Sequence, residues 1–278
     1  MDTTEGALIQ ASIDGIVERL AELNLNLIIE RDFAELRRFM ESQGSFFVNP
    51  TFHPDIAHKG VVDAFWLRLE DQDGKVVASH ADRVFETPDF METHIRRAEL
   101  WTGVPGPDPY MEGVAFDELP VTIGGVVSHS GSMWIDKDWR KKGIATFLSY
   151  LSRSIHMRNY GTTVHTGLIL EGIWKTDVWG ISYGYPRAVH CLKGYWPPIE
   201  KVVDLWMCWI DRAESLDAIR ALPRHAQAPV PVPGLTDDGR WIGRGAHAAS
   251  AELQWTRPSD AISTAVTDAP SADSGSAI

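Results

Sequence analysis

The chain has 278 residues, 44% of them hydrophobic and 23% charged, with a net charge of −12. That length allows one large buried core, and that charge disfavours nonspecific binding to nucleic acid. No run approaches the roughly 18 apolar residues of a membrane span, so no membrane association is expected, and the two cysteines, Cys191 and Cys208, are too few for a disulfide framework.

Apolar residues at Leu8, Ile9, Ile13, Ile16, Val17 and Leu20 keep helical spacing and predict a helical extension over 1–22. The start of the chain lacks a basic stretch followed by an apolar one, so no secretory leader is expected and the location reads as cytoplasmic. Residues 23–29 predict a first strand, and Phe33, Leu36, Phe39 and Met40 a short helix. Two runs of β-formers, 61–70 and 75–86, flank Asp71-Gln-Asp-Gly74, which predicts a hairpin.

The stretch 87–121 is irregular. Residues 91–101 allow a helix, but Val104-Pro-Gly-Pro-Asp-Pro109 demands a loop, and so long a connection is more often functional than idle. A strand over 125–135 and a helix over 144–157 follow, the helix presenting Ile144, Phe147, Leu148, Leu151 and Ile155 along one stripe. Then come a strand over 163–170, a helix over 172–182 and two strands over 188–195 and 202–210. Beyond Leu222 the composition turns to Pro, Ala and Ser, and the segment 223–278 is expected to be largely disordered.

Between that fourth strand and its helix lies Met133-Trp-Ile-Asp-Lys-Asp-Trp-Arg-Lys-Lys-Gly-Ile-Ala-Thr-Phe-Leu148. A helix that starts at a glycine offers free backbone N–H groups and the positive end of its dipole, a ready site for phosphate. Gly143 permits close approach, and Arg140, Lys141 and Lys142 add positive charge to an otherwise acidic chain. The expected ligand is an anion, most simply a pyrophosphate.

The element order, together with Arg140-x-x-Gly143-x-Ala145 behind a strand ending Met133-x-Ile135, resembles the GCN5-related N-acetyltransferase superfamily. The resemblance spans about Asn24 to Asp211. It implies a single α/β (α+β) domain over 23–222, with a twisted, mixed but mostly antiparallel sheet flanked by helices and an insertion at about 87–121. It also implies acetyl-CoA or another acyl-CoA as co-substrate. The pyrophosphate would rest on the N–H groups of Lys141, Lys142, Gly143, Ile144, Ala145 and Thr146, beside Arg140, and Met133 and Ile135 would line the strand that holds the pantetheine arm. An N–H near Met133 would stabilise the oxyanion as an amine attacks the thioester.

A base must take the amine's proton. His129 is the first candidate, with His165 and Glu171 next. The family's tyrosine, which protonates the leaving thiolate, would fall at position 180, here a glycine, so either Tyr183 acts from a shifted register or the thiolate leaves unaided, and Tyr185 replaces the packing phenylalanine. The implied activity is N-acylation of a small amine or amino group. The alternatives are a non-catalytic sensor of CoA or acyl-CoA and an N-acyl amino acid synthase-like enzyme with a long-chain or carrier-bound donor. Trp66, Trp101, Trp174 and Trp179, with Asp82, Glu86, Asp108 and Glu112, would suit a cationic or aromatic acceptor. His53, His58, His80, Asp82 and His94 match no tight metal spacing, so no metal is expected. A homodimer is left open.

Overall fold

The computed structural model describes residues 3–44, 49–97, 99–102, 122–176, 178–196 and 201–225. Expectations for 103–121, with Asp108 and Glu112, and for 226–278 therefore lie outside the described residues, which all belong to one unit, Met1–Gly243.

Helix α1, Thr3–Glu22, is followed by β1, Asn26–Glu30, and α2, Phe33–Ser42. Asp32 caps α2 by accepting hydrogen bonds from the N–H groups of Ala34 and Glu35. A 3₁₀ turn at Pro50–Phe52 leads to the hairpin of β2, Val61–Glu70, and β3, Val76–Thr87. At its turn the Asp71 carboxylate accepts from the N–H groups of Asp73 and Lys75, and Gly74 takes φ +78°. A π-helical turn at Met91–Arg96 and a one-turn α3, Glu99–Thr102, precede β4, Gly125–Ile135, and α4, Ile144–Tyr160. Then come β5, Val164–Leu170; the single turns α5, Glu171–Trp174, and α6, Val178–Ile181; β6, Arg187–Trp196; β7, Lys201–Asp211; and α7, Arg212–His225.

The seven strands form one sheet in the order β1-β2-β3-β4-β5-β7-β6, with β4 and β5 parallel and every other pair antiparallel. Because β4 and β5 run the same way, their connection must cross over, and α4 is that crossover. It lies on one face of the sheet, where His156 meets Phe65 of β2 and Ser152 bonds Asp82 of β3. The apolar stripe of α1, Ile9, Ile13, Ile16 and Leu20, is buried, and Ser12 meets Ser154 of α4. With the sheet below and α1 and α7 beside it, α4 is buried around almost its whole circumference from Phe147 to Met157. The opposite face carries α2 and the Pro50–Phe52 turn over Trp66 and Ala81, with the π-helical turn and α3 over Phe85 and Val127.

Two elements depart from the sequence reading. The helix expected over 172–182 is the two single turns α5 and α6. The last expected strand is followed by a helix that was not expected, α7, which buries Ser215 and Ile219. Its sequence is mostly charged residues and alanine, so its apolar stripe is too thin to announce a helix.

Candidate active site

The pairing of β4 with β5 covers only Val127 to Ser130 against Val164 to Gly167. Beyond that point β4 continues to Ile135 on β3, and β5 to Leu170 on β7, without meeting each other. A wedge therefore opens between the two strands, with its apex at Ser130 and Gly167. At the apex a Cβ added to Gly167 would stand 3.1 Å from the Tyr185 hydroxyl and 3.6 Å from the Ser130 carbonyl oxygen. The glycine lets the phenol enter.

On the β4 side of the wedge the ladder carries a bulge. Ser79 pairs with Trp134 and Ala81 with Gly131, so Ser132 and Met133 together face the single residue His80. Ser132 takes φ +46°, an unusual conformation for a residue with a side chain, and its carbonyl accepts from the Ser79 hydroxyl at 3.3 Å. A bulge leaves one backbone N–H out of the ladder. Residues 131–135 are half-buried, unlike Val127 to His129 before them.

The end of β4 is anchored on both sides. Asp136 donates its N–H to the Val77 carbonyl, its carboxylate accepts from the Asp138 N–H at 2.9 Å and pairs with Lys75 at 2.6 Å, and Arg140 Nε donates to the Ile135 carbonyl at 3.1 Å. Lys141 has φ +64° and Gly143 φ +78°, so the loop turns sharply before α4 starts. Lys142 lies over the Trp139 ring, 4.2 Å from its centre, while Lys141 is exposed. The N–H of Phe147 reaches the Gly143 carbonyl. Those of Ile144, Ala145 and Thr146 precede the first helical acceptor and have no partner within the helix. The structure thus brings Met133, Ile135, Arg140 to Gly143 and Ile144 to Thr146 along one continuous path, from wedge to helix start.

The four candidate catalytic side chains are spread around this path. His129, on the face opposite α4, is 1% exposed and stacked near Phe52 and Phe90. Burial, then His94 and His58, lower its pKa to about 3. Thr166 donates its hydroxyl to the Ser128 carbonyl, so it accepts from His129 Nδ1 at 2.9 Å. That leaves His129 Nε2 as a bare lone pair. His165 points the other way, under α4, bonded to Ser128 Oγ at 2.6 Å and stacked near His156, with burial holding it neutral. Glu171 stands just past the end of β5, at the wedge mouth, paired with Lys175 at 2.8 Å. Tyr183 packs against the cluster of Ile169, Tyr185 and Cys208; burial raises its pKa, so it is a proton donor rather than a phenolate.

Two residues were not singled out for their actual positions. Tyr185 does pack, as expected of it, but its hydroxyl also reaches the apex and donates to the Thr166 carbonyl at 3.1 Å. Arg153 lies 4.4 Å over its ring, and burial pushes the phenol up to about 12. The second is Arg83, a buried guanidinium on the His129 face. A tyrosine beside a strand reads as packing, and an arginine within a strand reads as solvent-facing, so neither gave a signal.

Among the described residues, those expected to make a cationic acceptor site do not converge. Asp82 faces α4, accepting from Ser130 and Ser152, and Glu86 is exposed on the far end of β3. Trp66 is buried under α2, whereas Trp174 stacks on Trp206 at 3.8 Å beyond β5. Among the described residues no three His, Cys, Asp or Glu side chains are grouped to hold a metal ion, and no helix is long and apolar enough to cross a membrane.

A crossover helix entering from a bulged strand, beside a parallel pair that parts halfway, is the chain path expected from the resemblance to the GCN5-related N-acetyltransferases. Solved structures with a similar chain path include Arabidopsis thaliana NAA60 in complex with acetyl-CoA, 8% identical, covering 67% of this chain and 99% of that chain with a TM-score of 0.40. BjaI, a CoA-dependent acyl-homoserine lactone synthase with SAM and isopentyl-CoA, is 14% identical, covering 72% and 83% with a TM-score of 0.39. AAC(6')-Ib in complex with ribostamycin and coenzyme A is 11% identical, covering 69% and 94% with a TM-score of 0.38. Likeness at this level concerns chain path and carries no activity. No family model matches the sequence, and no curated protein matches it.

Proposed function

We propose that the protein is an acyl-CoA-dependent N-acyltransferase that transfers an acyl group directly to an amine. The observation that carries this reading is the alignment of three backbone features: the β4–β5 wedge, the bulge at Ser132 and Met133, and the α4 start at Gly143. The helix start and the N–H groups from Lys141 to Thr146 suit the pyrophosphate. The wedge suits a narrow arm bearing amides, because the unpaired edges of β4 and β5 offer it hydrogen bonds. A backbone N–H freed from the ladder at the bulge would suit a thioester oxygen as it gains charge.

In the proposed reaction the amine nitrogen attacks the thioester carbon and a C–N bond forms. The C–S bond breaks, the amine's proton passes to His129 Nε2, directly or through water, and the thiolate receives a proton from Tyr183 or Tyr185. His165 lies on the wrong face for the amine, and Glu171 is placed at the mouth rather than at the bulge. No thiol or hydroxyl nucleophile is required, and Cys208 is buried with its pKa raised to about 12.

The test is a turnover assay with acetyl-CoA and longer acyl-CoA thioesters against a panel of amines, following free thiol and the amide product by mass. Amide formation at rates that depend on His129 supports the reading. Tight CoA binding without acylation of any amine would replace it with that of a sensor.

A further inference from the structure

Arg83 lies on the same face of β3 as Ala81, in register with His129 on β4 and three positions before the bulge, roughly 10 Å along the strands. It is 7% exposed. Its guanidinium makes one hydrogen bond, from Nη2 to the His53 carbonyl at 3.3 Å, and its Nε is buried with no acceptor. The group lies over the Phe33 ring, 5.4 Å from its centre. No carboxylate among the described residues pairs with it, in a chain with 38 acidic residues. Burial alone draws its pKa down to about 10, still far above neutrality, so the charge persists.

The other groups on this side do not neutralise it. His58, lowered to about 4 by burial and then by Arg83, is uncharged, as are His94 and His129. Glu99, the nearby acid, is buried against His94 and its pKa is raised. Burying a guanidinium without a partner costs several kcal/mol, and structures rarely carry that cost unless a ligand relieves it. Arginine's planar fork matches a carboxylate bidentately.

Resting on the acyltransferase reading, we infer that Arg83 receives the carboxylate of the acceptor, and that the acceptor is therefore an amino acid or related amino carboxylate. Helices and turns cover both faces of this strand, and the acceptor is assigned to the face that carries Arg83 and His129, beneath Phe52 and Phe90. A carboxylate held by Arg83 turns the amine along β4 toward the bulge. This assigns the acceptor by its anion, contrary to the cationic or aromatic acceptor suggested by the tryptophans.

The experiment compares matched pairs of acceptors with one acyl-CoA: phenylalanine with phenethylamine, leucine with isoamylamine, glutamate with 4-aminobutyrate. Expected is a kcat/KM at least tenfold higher for the α-carboxylated member of the first two pairs. Arg83→Gln should erase that preference through KM and leave phenethylamine and isoamylamine within about threefold, while Arg83→Lys keeps part of it. Phenethylamine or isoamylamine that equals its parent amino acid, or a preference that survives Arg83→Gln, overturns the inference. If Arg83→Gln does not fold, the wild-type preference and Arg83→Lys decide it. If no amine is acylated at all, the acyltransferase reading fails separately. The inference is then decided by thermal protection of the wild-type protein by phenylalanine but not phenethylamine: selective protection keeps the carboxylate site, and equal or absent protection removes it.

Discussion

The proposed donor side of the site is made of backbone, and the proposed acceptor side of side chains. From Met133 to Thr146 the chain offers a bulge, two positive-φ residues and a helix start, with all but Ile144 half-buried or exposed. On the opposite face, Arg83, His129, His94 and Glu99 are all buried. Backbone sites tolerate exchange of most side chains but not a change of path. Side-chain sites fail by single substitutions and leave the path unchanged. Damage to one half should therefore be separable from damage to the other.

The largest expected separation comes from His129→Ala, which should lower kcat about 10²-fold while leaving the Kd for CoA unchanged by calorimetry. A parallel loss of CoA affinity would break the division. Because His129 is held neutral down to about pH 3, the acid limb of kcat/KM should follow the pKa of the acceptor amine. An inflection fixed near 6.5 for every amine would remove His129 from the base role.

Gly143→Val is the converse. The left-handed conformation costs a β-branched residue about 1–2 kcal/mol, and the branch would stand at the proposed pyrophosphate site. CoA affinity should fall at least tenfold with the circular dichroism spectrum retained; unchanged affinity would displace the donor site.

A third prediction concerns both faces at once. His58, His80, His94, His129 and His156 have pKa values lowered to about 3 or 4, and His165 lies well below its usual value, chiefly through burial. The unfolded chain binds protons at these groups below about pH 6.5, and the folded chain does not. Stability is thus full above 6.5 and lost as pH falls toward 4, by about 1.4 kcal/mol per pH unit for each group that stays buried. A urea midpoint that stays flat between pH 6.5 and 4.5 would mean that these imidazoles reach solvent.

The smallest effect is expected from Ser132→Gly. If the bulge acts through its backbone, the side chain is dispensable: turnover should stay within about threefold and stability within about 1 kcal/mol. A tenfold loss of turnover would give the Ser132 hydroxyl a role.

The same division explains what could be read from the residues. Turns that need glycine or a short acceptor side chain announce themselves, as Asp71 to Gly74 and Arg140 to Gly143 do, because few other residues take those conformations. The bulge left no such mark, since its positive-φ residue is a serine and not a glycine. In β3, His80, Asp82 and Arg83 break the expected alternation because helices cover both faces of that strand. Polar residues buried in this way look solvent-facing until the covering elements are known. The breadth of the wedge was equally hidden, because it depends on where β4 and β5 stop pairing and not on any one residue.

The place of β7 has a consequence for synthesis. It lies between β5 and β6, although β6 leaves the ribosome first. Until Lys201–Asp211 has emerged, β6 has no neighbour, and β5 keeps one bare edge next to the wedge. The donor path from Met133 to Thr146 can be translated, but its far wall is fixed only about sixty residues later. Pausing before β7 would present two unpaired strand edges at once, the state most exposed to mispairing with another nascent copy.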